Sequence, residues 1–191
     1  MYIEELLRSK KTVFSTQDMA VLFGLKGPYI GTVLSRLVAS GDLIRVKRGL
    51  YSAKGREVNF FELAGKLKQP SYVSMETVLA NNGIVFQDYG QTIFSVSDNT
   101  LKKQALGKTF EYYKIKDAIL LNPLGVENKD GFMSASIERA VCDRLYFSAK
   151  YYFDNVNKID AGKLLKISEI YNNKRLEKEV KNLAQRIKNK S

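Results

Sequence analysis

Residues 15–51 read STQDMAVLFGLKGPYIGTVLSRLVASGDLIRVKRGLY. The Ser15 hydroxyl caps a helix beginning at Thr16, and Asp18, three residues on, completes a short capping box. Met19, Ala20, Leu22 and Phe23 give that helix an apolar face, and Gly24 supplies the left-handed backbone that ends it. After a tight turn, Pro28 opens a second helix, where its missing N–H costs nothing. Ile30, Val33, Leu34, Leu37 and Val38 recur at helical spacing and share the inward face. Gly41 ends the helix, and Leu43-Ile44-Arg45-Val46, Lys47-Arg48-Gly49 and Leu50-Tyr51 follow as strand, turn and strand. Helix, turn, helix and basic hairpin in this order predict a winged helix-turn-helix.

Opposite the apolar stripe of the second helix lie Tyr29, Thr32, Ser35 and Arg36, short polar, aromatic and cationic groups that suit a major groove. Thr32, Ser35 and Arg36 are the expected base or groove contacts, with Lys26 and Tyr29 at the helix start. Arg45, Lys47 and Arg48 at the hairpin are expected on phosphates or in a minor groove, because cations neutralise backbone charge without reading sequence. The alternative is an ordinary helical hairpin with a solvated basic loop. Upstream, Ile3, Leu6 and Leu7 fall on one side of a short helix, and Thr12-Val13-Phe14 has the β character of a strand that pairs with the wing. A winged helix-turn-helix domain is therefore expected over 1–53, followed by the linker Lys54-Gly55-Arg56-Glu57.

The 191 residues carry 31 Lys plus Arg against 20 Asp plus Glu, a net charge of +11 that favours polyanionic partners. Residues 1–57 hold 10 basic and 5 acidic side chains, residues 58–150 hold 11 and 10, and residues 151–191 hold 10 and 5, so the excess sits at the two ends. One cysteine, Cys142, and no histidine leave no intramolecular disulfide, no Cys/His zinc site and no histidine general base. Cys142 reads as a small core residue of an amphipathic helix. The amino terminus is acidic and too short in apolar run for a signal peptide, and no stretch approaches the roughly 20 apolar residues of a membrane span. A cytoplasmic location without a membrane partner is expected.

From Asn59 the pattern becomes α+β. Asn59 caps a helix over 60–67, which stops before Gln69-Pro70. Ser71-Tyr72-Val73 is extended, Ser74 caps a helix over 75–81, and Gly83 provides its exit. β-rich runs follow at 92–96, 110–115 and 118–121, with a hairpin across 127–133 turning at Asp130-Gly131. Ser134 or Ser136 caps a helix to about residue 150. The last stretch places Leu176, Val180, Leu183 and Ile187 on one edge, with Lys174, Arg175, Lys178, Lys181, Arg186 and Lys188 around the rest. The second domain, 58–191, is thus expected as a mixed α/β domain ending in a basic amphipathic helix.

Lys47-Arg48-Gly49-Leu50-Tyr51, then Pro70-Ser71-Tyr72-Val73-Ser74 with Leu79 and Asn82-Gly83-Ile84, and later Ser136-Ile137-Glu138-Arg139-Ala140-Val141-Cys142-Asp143, together resemble the AbiEi-like antitoxins of type IV (AbiE) toxin-antitoxin systems. Where family members often have a proline before the glutamate and leucines after the alanine, this chain has Ile137 and Val141-Cys142. The resemblance implies an N-terminal winged helix-turn-helix that represses its own operon. It also implies a C-terminal domain that counteracts a nucleotidyltransferase-like toxin without a stable complex. Double-stranded operator DNA, with inverted repeats, is the implied partner. Glu138 and Arg139 are candidate antitoxin residues, or else surface or intradomain ion-pair residues.

An enzyme is the rival class. Gly107-Lys108-Thr109 mimics the end of a phosphate-binding loop, but Lys102 stands where that motif needs glycine. A nucleotidyltransferase needs a glycine-serine turn followed by paired metal-binding carboxylates, and the sequence has neither. No catalytic residue, metal or cofactor is expected. Two binding-class alternatives stay open: a winged-helix regulator whose C-terminal domain senses a ligand or dimerises, and an RNA-binding module using the basic C-terminal helix.

Overall fold

The computed structural model describes residues 2–25, 27–148 and 150–189. The chain divides into two compact units, Met1–Leu67 and Lys68–Ser191.

The first unit runs α1 (Tyr2–Arg8), β1 (Phe14–Ser15), α2 (Thr16–Leu22), α3 (Tyr29–Ala39), β2 (Leu43–Lys47), β3 (Leu50–Ala53) and α4 (Phe60–Leu67). Its sheet has the order β1-β3-β2, with Phe14 opposite Tyr51 and Leu43 opposite Ala53. The capping box forms: Ser15 Oγ accepts from Asp18 N at 3.0 Å, and Asp18 Oδ2 accepts from Ser15 N at 2.8 Å. Gly24 and Gly41 have φ of +64° and +77° where α2 and α3 end. Leu6, Phe14, Met19, Phe23, Ile30, Leu34, Leu43 and Tyr51 form one core, with Tyr2 stacked 4.4 Å from Phe23. Leu6 is buried, but Leu7, expected beside it, is 52% exposed. The α1 stripe is narrower than the apolar residues suggested.

The helix over 60–67 was expected in the second domain, yet α4 belongs to the first unit. Its Glu62 carboxylate accepts from Thr12 N at 2.7 Å and Thr12 Oγ1 at 2.8 Å, and its Lys66 ammonium lies 2.6 Å from Asp18 Oδ2. These bonds tie α4 to the segment before β1 and to the start of α2. Partial burial alone would raise the Asp18 carboxyl, but hydrogen bonds from Lys66 and Ser15 hold it well below the usual carboxylate range.

The second unit contains β4 (Ser71–Val73), α5 (Met75–Asn81), β5 (Thr92–Ser97), β6 (Leu101–Ala105), β7 (Lys108–Lys114), α6 (Asp117–Leu120), β8 (Val126–Lys129), β9 (Phe132–Ala135), α7 (Ile137–Phe147), α8 (Ala161–Ser168) and α9 (Lys174–Lys188). Its mixed sheet has the order β6-β7-β5-β4-β9-β8, with β5–β7 and β4–β9 parallel and the other pairs antiparallel. The 118–121 run, expected as β, is instead one helical turn, with Leu120 N and Leu121 N donating to Lys116 O and Asp117 O at 2.9 Å. An apolar run this short fits either structure until its neighbours decide. The helix capped by Ser136 ends at Phe147, short of the expected 150. Ser74 stands at the N-cap of α5 without making the expected cap bond, and its hydroxyl donates to Asp143 at 2.6 Å.

Candidate nucleic-acid interface

Pro28 holds the N-cap position of α3, and eleven residues follow with Ile30, Val33 and Leu34 buried. Burying that stripe turns Tyr29, Thr32, Ser35 and Arg36 to solvent; Tyr29 is 54% exposed. Pro28, Gly31, Thr32, Ser35, Arg36 and Ala39 border a shallow open depression along this face. Lys26 lies outside the described residues.

Gly31 adds a feature that the apolar periodicity did not pick out. It lies in the first turn of α3, it is exposed, and a Cβ built on it meets nothing within 4 Å. Packing within the chain therefore gives no reason for glycine there. The available sequence signal was a glycine inside a helical pattern, where alanine is the better helix former.

The wing is the β2–β3 hairpin, turning between Lys47 and Leu50. Gly49 has φ of +77°, and its carbonyl accepts from Thr16 N at 3.1 Å, which fastens the hairpin tip to the first residue of α2. A β-bulge between Arg45 and Lys47 shifts the register there. Arg45, Lys47 and Arg48 are all exposed. The Arg45 guanidinium lies over the ring of its cross-strand neighbour Tyr51, 5.8 Å from the centroid, and donates to its hydroxyl at 3.5 Å. Tyr51 thus orients a cation of the wing. Among the described residues, Arg36, Lys47 and Arg48 make no ion pair with a carboxylate. One unit therefore carries an exposed polar helix face and an exposed cationic hairpin, both anchored to α2.

Glu138 and Arg139 have a different setting. Both are buried, Arg139 completely. The Arg139 guanidinium donates to Ile119 O at 2.7 Å, Leu124 O at 2.8 Å and Tyr72 Oη at 3.1 Å, and lies over the rings of Tyr72 and Tyr171. One turn on, Asp143 lies 3.6 Å from Arg139 and accepts from the hydroxyls of Tyr72, Ser74 and Tyr171. Burial pushes the Asp143 carboxyl up, against the pull of Arg139 and the three hydroxyls. Glu138 accepts from Asp160 N and Ser136 Oγ, both at 3.1 Å. Arg139 and Asp143 are fully buried and Glu138 is 7% exposed, and the bonds of Arg139 and Asp143 join α7 to β4, to α6 and to the residue before α5. Their residue types and spacing gave no sign of complete burial.

Among the described residues, no group of acidic, cysteine or histidine side chains is arranged to hold a metal ion, and no helix is long and apolar enough to cross a membrane. No curated protein matches the chain. Residues 1–53 match the protein-family model described as transcriptional regulator, AbiEi antitoxin. The matched residues end with β3, so they contain α2, α3 and the wing, while the Pro70 and Ser136 motifs lie beyond them. Residues 1–53, which fold as the winged helix-turn-helix, are therefore similar to the AbiEi antitoxin transcriptional regulators.

Proposed function

We infer that the protein is a DNA-binding repressor of its own operon and an antitoxin that counteracts a nucleotidyltransferase-like toxin in the cytoplasm, without catalysis and without a stable complex with the toxin. The observation that carries the DNA half is the exposed α3 face of Tyr29, Thr32, Ser35 and Arg36 beside a wing bearing Arg45, Lys47 and Arg48. In this reading α3 enters the major groove and meets base edges, and the wing holds phosphates or the minor groove. Lys26, two residues before Pro28 in the sequence, is counted among the proposed contacts. The domain that does this is 1–53 with α4 packed beneath it, and the remainder of the chain supplies neutralisation.

The deciding measurement is binding of the purified protein to the duplex upstream of its own gene, against a scrambled duplex of equal length, over a range of salt concentrations. Charge alone gives steep salt dependence with little preference. A preference of about a thousandfold marks an operator reader, and mapping the protected bases shows whether inverted half-sites are used. Equal binding to both duplexes removes the repressor role. For the antitoxin half, co-expression with the neighbouring toxin gene restores growth if the reading holds, and leaves growth arrested if the chain is a regulator only.

A further inference from the structure

We propose that the cavity between α2 and residues 9–14 binds a small amphipathic anion, whose apolar tail lies against Phe14, Val21 and Leu22 and whose charged head meets the ammonium of Lys11. The cavity has a volume of about 360 Å³, and its lining combines the apolar groups of Phe14, Val21 and Leu22 with the polar groups of Ser9, Lys11, Gln17 and Asp18. Small-molecule sites span about 300 to 1,000 Å³. None of these residues belongs to the α3 face or to the wing, so the proposal stands apart from the DNA-binding reading.

Folding does not account for the apolar pair. Gln17 and Val21 are one helical turn apart, as are Asp18 and Leu22, so the four share one side of α2. Val21 is 79% exposed and Leu22 37%. On an exposed helix side lysine, glutamate or alanine forms helix better than a β-branched valine, and burial contributes nothing to Val21 in the free protein. A bound apolar group supplies the missing contact. The apolar pair borders a cavity of small-molecule size, whereas a stable protein partner covers roughly 800 Å² on each side. The charge comes from Lys11, since only Lys11 and Asp18 are charged among the lining residues. Asp18 Oδ2 lies 2.6 Å from Lys66 Nζ and accepts from Ser15 N and Ser15 Oγ, while Lys11 Nζ reaches only Asp18 Oδ1, at 3.3 Å. One carboxylate is thus shared between two ammonium groups, and Lys11, its side chain 45% exposed, keeps donors to spare. Ser9 Oγ accepts from Lys11 N at 3.2 Å and fixes the backbone that carries this cation. A carboxylate or phosphate head matches Lys11, and a short apolar tail matches Val21 and Leu22.

The test titrates the isotope-labelled full chain with octanoate and follows the amide chemical shifts, with n-octanol as the same tail without charge and acetate as the same head without tail. The expected result is a saturable response confined to residues 9–22 for octanoate, affinity weaker by about fivefold or more for n-octanol, and no response at the same concentrations of acetate. K11Q is expected to bring octanoate down to the affinity of n-octanol, and K11R to restore it. V21N weakens octanoate and n-octanol together, and an amide spectrum unchanged away from the substituted residue is the control for folding. Equal affinity of the unaltered protein for octanoate and n-octanol overturns the proposal, and this comparison needs no variant. A response as strong around the exposed Phe86 and Tyr152 of the second unit as over residues 9–22 also overturns it, because octanoate then follows exposed apolar surface in general. So does a K11Q variant that binds octanoate as tightly as the unaltered chain.

Discussion

Gly31→Ala separates folding from recognition because the two respond with opposite signs. Gly31 lies within α3, does not have a positive φ, and an added Cβ meets no atom within 4 Å. Alanine at such a site stabilises by narrowing the unfolded ensemble and favouring the helix, by about 0.5 to 1 kcal/mol. For a unit of this size that corresponds to a melting temperature higher by roughly 2 to 8 °C. The same methyl group projects from the exposed face shared with Thr32, Ser35 and Arg36. If that face lies against base edges, a methyl there holds the helix off the groove floor and weakens a neighbouring contact. A well-made base contact is worth about 1 to 3 kcal/mol, so affinity for the upstream duplex falls about fivefold or more. The salt slope stays as it was, since no phosphate contact is removed. Thermal unfolding and anisotropy titrations on one preparation read both effects. A variant that is more stable and binds as tightly as the unaltered protein refutes the placement of this face against DNA.

Other expectations follow from the same geometry. Arg36→Ala weakens binding to the upstream duplex and relaxes discrimination by about 1 to 3 kcal/mol, whereas Lys47→Ala weakens all duplexes alike and lowers the salt slope by about one; equal losses from both variants on specific and scrambled DNA would count against this division. The Asp18 carboxyl is held below its ordinary value of 3.8, so its contribution is complete above that pH and is lost as pH falls through the lower folded value. Acid unfolding monitored in the first unit should therefore steepen below pH 3.8, and Asp18→Asn should flatten it while costing about 1 to 3 kcal/mol at neutral pH. Arg139→Ala leaves Asp143 buried without its cation and costs about 3 to 5 kcal/mol in urea unfolding; a variant of unchanged stability that fails to neutralise the toxin would restore Arg139 as a contact residue.

The first unit was legible in the sequence because its signals are local. Ser15 and Asp18 are three residues apart, Gly24, Pro28 and Gly41 punctuate two helices, and the apolar period of α3 fixes which side is left for Thr32, Ser35 and Arg36. Those devices act within a turn or two of chain, so reading residues in order recovers them. The amphipathic α9 was legible for the same reason. What needed the tertiary structure were the features whose partners lie far away in sequence. α4 joins the first unit through Glu62 to Thr12 and Lys66 to Asp18, bonds spanning 50 and 48 residues. Ser74 gives its hydroxyl to Asp143, 69 residues on, in place of the local cap that its position promised. Glu138 and Arg139 are candidates on the strength of the family resemblance, and whether two charged residues on a helix face solvent or core depends on which strands and helices close over them. The strand order that brings Tyr72, Tyr171 and the Ile119 carbonyl around Arg139 is not encoded in the spacing of any one segment. A sequence specifies its caps, turns and amphipathic faces one segment at a time, but a buried charge is defined only by the groups that fold around it.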